Sequence, residues 1–61
     1  MTADLFADVP LAEQIAEAER ELAMRQHVYA RRVLNGAMTQ AKADRAIAVQ
    51  RAIIATLRAQ V

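Results

Sequence analysis

Two long stretches free of helix breakers meet at Asn35 and Gly36, and that single interruption constrains the fold more than any other feature. Gly36 is the only glycine of the 61 residues and Pro10 the only proline. From Leu11 to about Leu34 nothing breaks a helix. Asn35 and Gly36 then supply a C-terminal stop, because glycine enters positive φ without a steric penalty. Thr39 offers a hydroxyl to cap a second helix running to about Gln60. At the other end Asp8 or Val9 is placed to cap the first helix. Pro10 suits its first turn, where the missing N–H would be unpaired anyway. An Asn-Gly pair also marks β-hairpins, but the flanks lack the alternation a strand requires. The chain therefore reads as all-α, with a short leader over residues 1–9 and an antiparallel two-helix hairpin over 10–61. Its helices span about 10–34 and 39–60, and the hairpin is expected to oligomerise into a helical bundle.

Helical periodicity assigns the faces. Leu11, Ile15, Ala18, Leu22, Tyr29 and Val33 form one narrow stripe on the first helix, with Arg25 and Arg32 at its edge. Their aliphatic stems can lie along the seam while the charged heads reach water. The second helix is apolar over a wider arc that includes Ala43, Ala46, Ile47, Val49, Ile53, Ile54 and Leu57. A strip of small residues, among them Ala41, Ala48 and Ala52, runs beside it. One partner helix cannot cover both faces, so Ile47, Val49, Ile53, Ile54 and Leu57 are expected to meet other copies, most simply about a two-fold axis. The composition agrees: 56% of residues are hydrophobic, yet fifteen are alanine and there is no tryptophan. A chain this short without a disulfide or metal commonly depends on oligomerisation or very regular helix packing.

Net charge is only +1, but residues 1–24 carry −5 and residues 25–61 carry +6. Folding about Gly36 pairs residues whose numbers sum to about 73. Arg58 then falls near Glu13 and Glu17, and Arg51 near Glu19 and Glu21. Arg25, Arg31, Arg32, Lys42 and Arg45 are left near the turn with Asp44 as their acidic neighbour. The hairpin end is expected to be net positive.

These residues narrow the function classes. Serine and cysteine are absent and His27 is the sole histidine, so one chain cannot assemble a nucleophile, base and orienting group. Metal-ligand spacing is missing as well. No enzyme activity, cofactor or metal is expected. A lack of cysteine suits a reducing compartment. Without a signal-peptide pattern or a membrane-length apolar run, the cytoplasm is the expected location, with no membrane partner. A helix–turn–helix would want a third helix and a basic second one; duplex binding survives only for a dimer presenting two basic ends. The remaining class is a small anion. Guanidinium groups pair with phosphate, and a helix N-terminus offers free N–H groups and a positive dipole end. Arg25, Arg31, Arg32, Thr39 and Lys42 would hold such a ligand, and Tyr29 would stack on a base. Against this, Arg25 can pair with Glu21 or Asp44, Tyr29 can be core, and the other cations can be solvated. The cluster reads equally well either way.

The segment 21–57, ELAMRQHVYARRVLNGAMTQAKADRAIAVQRAIIATL, resembles a family of short helical-hairpin accessory proteins of bacteriophages and prophages. That pattern runs M-R-x-x-V-Y, then a turn with G-x-M-[TS], then K-A-D-x-x-I-A. Met24, Arg25, Val28, Tyr29, Gly36, Met38, Thr39, Lys42, Ala43, Asp44, Ile47 and Ala48 match it. The chain departs at Ala30, Arg32 and Ala37, where the pattern carries proline, tryptophan and often arginine. The resemblance implies a phage accessory protein that counters host defence. In outline it is similar to hairpin oligomers that sequester cyclic-oligonucleotide or ADP-ribose-type immune signals between subunits. A different class also fits the residues: an adaptor or inhibitor that docks a host or phage protein through the apolar face of the second helix.

Overall fold

The structure, a computed structural model, describes residues 8–61. Leu5 and Phe6 of the leader lie outside the described residues. Two helices make up the hairpin, α1 over Leu11–Leu34 and α2 over Gln40–Arg58, with no strand among the described residues. Neither is long and apolar enough to cross a membrane.

Each terminus follows from local chemistry. Pro10 stands at the N-cap of α1 rather than inside its first turn. Its carbonyl accepts the N–H groups of Glu13 and Gln14, both at 3.1 Å. A proline side chain cannot cap, and neither Asp8 nor Val9 takes that role. Instead the Gln14 amide reaches back to the Val9 carbonyl at 3.1 Å.

At the far end the Gly36 N–H donates to Val33 O at 3.1 Å and the Ala37 N–H to Arg32 O at 2.8 Å. This is the Schellman pairing, which satisfies carbonyls that the helix leaves open. Gly36 holds φ at +75°, and a Cβ built there would meet nothing within 4 Å. Gly36→Ala therefore acts through the backbone alone. It should cost about 1 kcal/mol, the usual penalty of a left-handed residue with a side chain. Urea unfolding should show a lower midpoint with an unchanged slope. Thr39 then caps α2, accepting the Lys42 N–H on its hydroxyl at 3.2 Å.

The helices pack along the expected seam. On α1, Ile15 is buried, and Leu11, Ala18, Leu22, Tyr29 and Val33 are half-buried. Arg25 and Val28 join them at the edge. On α2, Ala43 and Ile54 are buried beside a residue that an apolar pattern passes over, Gln50, which is only 5% exposed. Its side-chain amide donates to Ala18 O at 3.0 Å, tying α2 to α1. Among the described residues none is enclosed completely, as expected of two helices with a single shared face.

The ionic register differs from the expected one. Arg58 pairs with Glu19, not with Glu13 or Glu17. Glu17 is held within α1 by Arg20, and Glu21 by Arg25. Arg51 shares a groove with Glu19 but makes no ion pair among the described residues. At 100° per residue Glu19 lies on the flank that faces Arg51 and Arg58. Glu13 and Glu17 turn to the far side, where Glu17 finds Arg20 three residues on along the same helix.

Candidate functional site

The turn end collects the residues predicted to hold an anion, but not as one cluster. Arg25 is already engaged: its Nε donates to Glu21 Oε2 at 2.7 Å. That hydrogen-bonded carboxylate raises the guanidinium above its ordinary pKa, against a smaller lowering by burial. The charge of Arg25 is thus matched locally, because Glu21 sits one turn earlier on the same face.

Tyr29 and Arg32 pair with each other. The Arg32 guanidinium carbon lies 5.8 Å from the ring centroid, a cation–π arrangement available to residues three apart on a helix. Tyr29 is half-buried and Arg32 exposed. The ring thus has one face occupied by a cation that is itself exposed. Arg31 is exposed too, but helical geometry turns it well away from Tyr29, so it cannot share a ligand with that pair within one hairpin.

Beyond the turn, Thr39 and Lys42 do come together. They line a shallow concavity with Gly36, Ala37 and Met38, and no arginine reaches it. The first-turn N–H groups of Gln40 and Ala41 have no intrahelical acceptor and sit at the positive end of the α2 dipole. The Thr39 hydroxyl is already committed to the cap, so Lys42 brings the mobile charge. Asp44, the nearest carboxylate in the chain, accepts a hydrogen bond from the Gln40 amide at 2.8 Å. It makes no ion pair with Lys42 or Arg45.

The five residues expected at an oligomer interface divide by burial into three groups. Ile54 is 8% exposed and belongs to the hairpin's own core, while Ile47 and Leu57 are half-buried. Val49 and Ile53 stand exposed at 43% and 45%. They form an apolar groove with Ala48, Ala52 and Thr56, and Arg45 lies at one end of it. Thr56 and Arg45 were outside the sequence-based apolar arc, but Arg45 lies four residues from Val49 and eight from Ile53, and Thr56 seven and three, which places both on the same outer face.

His27 is exposed on α1. Among the described residues no three acidic, histidine or cysteine side chains gather closely enough to hold a metal ion. Comparison of the chain with protein-family models, curated proteins and solved structures gives no match.

Proposed function

We propose that this protein is a non-enzymatic, self-associating hairpin that captures a phosphate-bearing, nucleotide-like anion at its turn end. The observation that supports this reading is the distribution of unmatched charge. The carboxylates Glu17, Glu19 and Glu21 each have an arginine partner, whereas Arg31, Arg32, Lys42 and Arg45 make no ion pair among the described residues. Arg32 brings guanidinium donors over an aromatic ring, and Lys42 sits at the amide end of α2. Phosphate and a base stacked nearby are the complementary chemistry. With the resemblance to phage hairpin proteins, the ligand class is a cyclic oligonucleotide or ADP-ribose-type immune signal, captured in the host cytoplasm.

Purified protein should be mixed with cyclic dinucleotides, cyclic trinucleotides and cyclic ADP-ribose isomers, then read by thermal shift and by depletion of free ligand. At least one should bind. Lys42→Ala and Arg32→Ala should each weaken it about tenfold, since a hydrogen bond to a charged group is worth about 1.5–3 kcal/mol. Arg25→Ala should weaken it less, because Glu21 already holds that side chain. Absence of any shift or depletion across the panel would sink the idea.

A second reading rests on the exposed groove around Val49 and Ile53, which fits an adaptor that docks one helix of a host or phage protein. It predicts a monomer in solution, whereas the captured-anion reading predicts an assembly. Nucleic-acid binding, the third class, would fall steeply with rising salt.

A further inference from the structure

We infer that the outer face of α2 seats a second copy of this chain, laid antiparallel about a two-fold axis that passes between Val49 and Ile53, beside Ala52. This inference stands on the α2 face and on charge polarity, independently of any ligand at the turn.

The spacing of the face is that of a helix–helix seam. Arg45, Val49, Ala52, Ile53 and Thr56 recur at intervals of three and four, so they form one stripe on the side of α2 turned away from α1. Val49 and Ile53 supply branched side chains that project, 43% and 45% exposed. Ala48 and Ala52 supply the low ground between them. Two such stripes are self-complementary, with Val49 set against the partner's Ile53 and alanine against alanine. The hairpin also has reason to bury more. Four of its described residues are buried and none is fully enclosed, and no disulfide is available to compensate. A chain of this length has little core to draw on by itself.

Charge selects a second copy, and it selects the polarity. The open end of the hairpin is net acidic, with Asp8, Glu13, Glu17, Glu19 and Glu21 set against Arg20, Arg51 and Arg58, and it holds the carbonyl end of α2. The turn end carries Arg31, Arg32, Lys42 and Arg45. An antiparallel two-fold sets the basic turn of each copy beside the acidic open end of the other. It also brings Arg45 to the last turn of the partner's α2, where the helix dipole favours a cation. A parallel pair would instead stack Arg45 on Arg45 and Lys42 on Lys42, which is repulsive. The result is a four-helix bundle with a basic turn at each end, so each assembly would present two copies of the turn.

Light scattering on the full chain should give twice the 6.7 kDa chain mass. Ile53→Glu should halve it while far-UV circular dichroism stays helical, because Ile53 faces away from α1. Polarity is read by oxidation of single-cysteine variants, since the chain has no cysteine of its own. Ala52→Cys, beside the axis, should form an inter-chain disulfide readily. Arg45→Cys should not, because antiparallel packing separates the two copies of position 45 far beyond the ~7 Å limit between Cα atoms. A single-chain mass for the unaltered protein overturns the inference. So does an assembly of any size that Ile53→Glu leaves intact, or equal cross-linking at positions 45 and 52. If Ile53→Glu unfolds the chain, the comparison of Ala52→Cys with Arg45→Cys still decides.

Discussion

Ile54→Ala should lower the stability of the hairpin by about 3 kcal/mol, within the range measured when a large aliphatic side chain is cut back to alanine in a core. For a chain this small that is a large share of the total, since domains carry only about 0.05–0.15 kcal/mol per residue. With roughly 4–8 °C lost per kcal/mol at this size, the melting temperature should fall by more than about 10 °C. The reason is positional. Ile54 is one of three apolar side chains buried between the helices, with Ile15 and Ala43, and two helices offer no neighbouring layer that could close over the gap. Thermal melts followed by circular dichroism, at one fixed protein concentration, would measure it. A loss below about 1 kcal/mol would mean that the α1–α2 seam is not what holds the hairpin together. The concentration must be fixed because any association adds stability by mass action.

Gln50 should show the second largest effect, with a sign that depends on the replacement. Its amide donates across the seam to Ala18 O at 3.0 Å, and among the described residues no buried polar side-chain atom is left unpaired. Ala18 O lies inside α1, so it already accepts the helical N–H four residues on; losing Gln50 orphans no acceptor. Gln50→Ala should cost about 2 kcal/mol, combining one hydrogen bond with the cavity left by the side chain. Gln50→Leu keeps the volume and removes the polar group from the seam. It should lie within about 1 kcal/mol of the unaltered chain, or above it, as replacing a polar pair by an apolar one of like shape often does. What Gln50→Leu should lose is definition of the register, because an amide that must find one carbonyl tolerates less sliding than a leucine. Melting temperatures of the two variants, with backbone amide exchange along the seam, separate the two roles. A cost of more than about 2 kcal/mol for Gln50→Leu would show that the bond itself carries the stability.

The fold was largely legible from the residues because its punctuation is local. Gly36 and Thr39 act through their own backbone and hydroxyl, and each does what its chemistry allows wherever the chain goes next. Periodicity likewise places Ile15 and Leu22 on the packed face of α1, since 100° per residue holds for any regular helix. The start of α1 was less legible. Pro10 takes the cap position with no side chain capping the helix, and Gln14, four residues on, instead donates to the Val9 carbonyl.

The turn site was legible as a composition and not as an arrangement. Counting charges put Arg25, Arg31, Arg32, Lys42 and Arg45 together, whereas the folded chain divides them. Arg25 is matched by Glu21, Arg32 lies over Tyr29, Arg31 points away, Lys42 stands at the start of α2, and Arg45 closes the outer groove. Each of these outcomes depends on which flank of a helix a side chain occupies relative to its near neighbours, and a sum over a segment does not carry that information.

By itself, then, the sequence determined two helices, the turn between them and the stripes along which they pack, because those features rest on backbone freedom and on a fixed helical period. The tertiary structure alone decided which carboxylate Arg58 meets, that Gln50 lies in the seam bonded to Ala18, and that Ile54 faces inward while Val49 and Ile53 face out. Those are relations between two helices, set by the angle and offset at which their surfaces interlock, and no single stretch of chain encodes them.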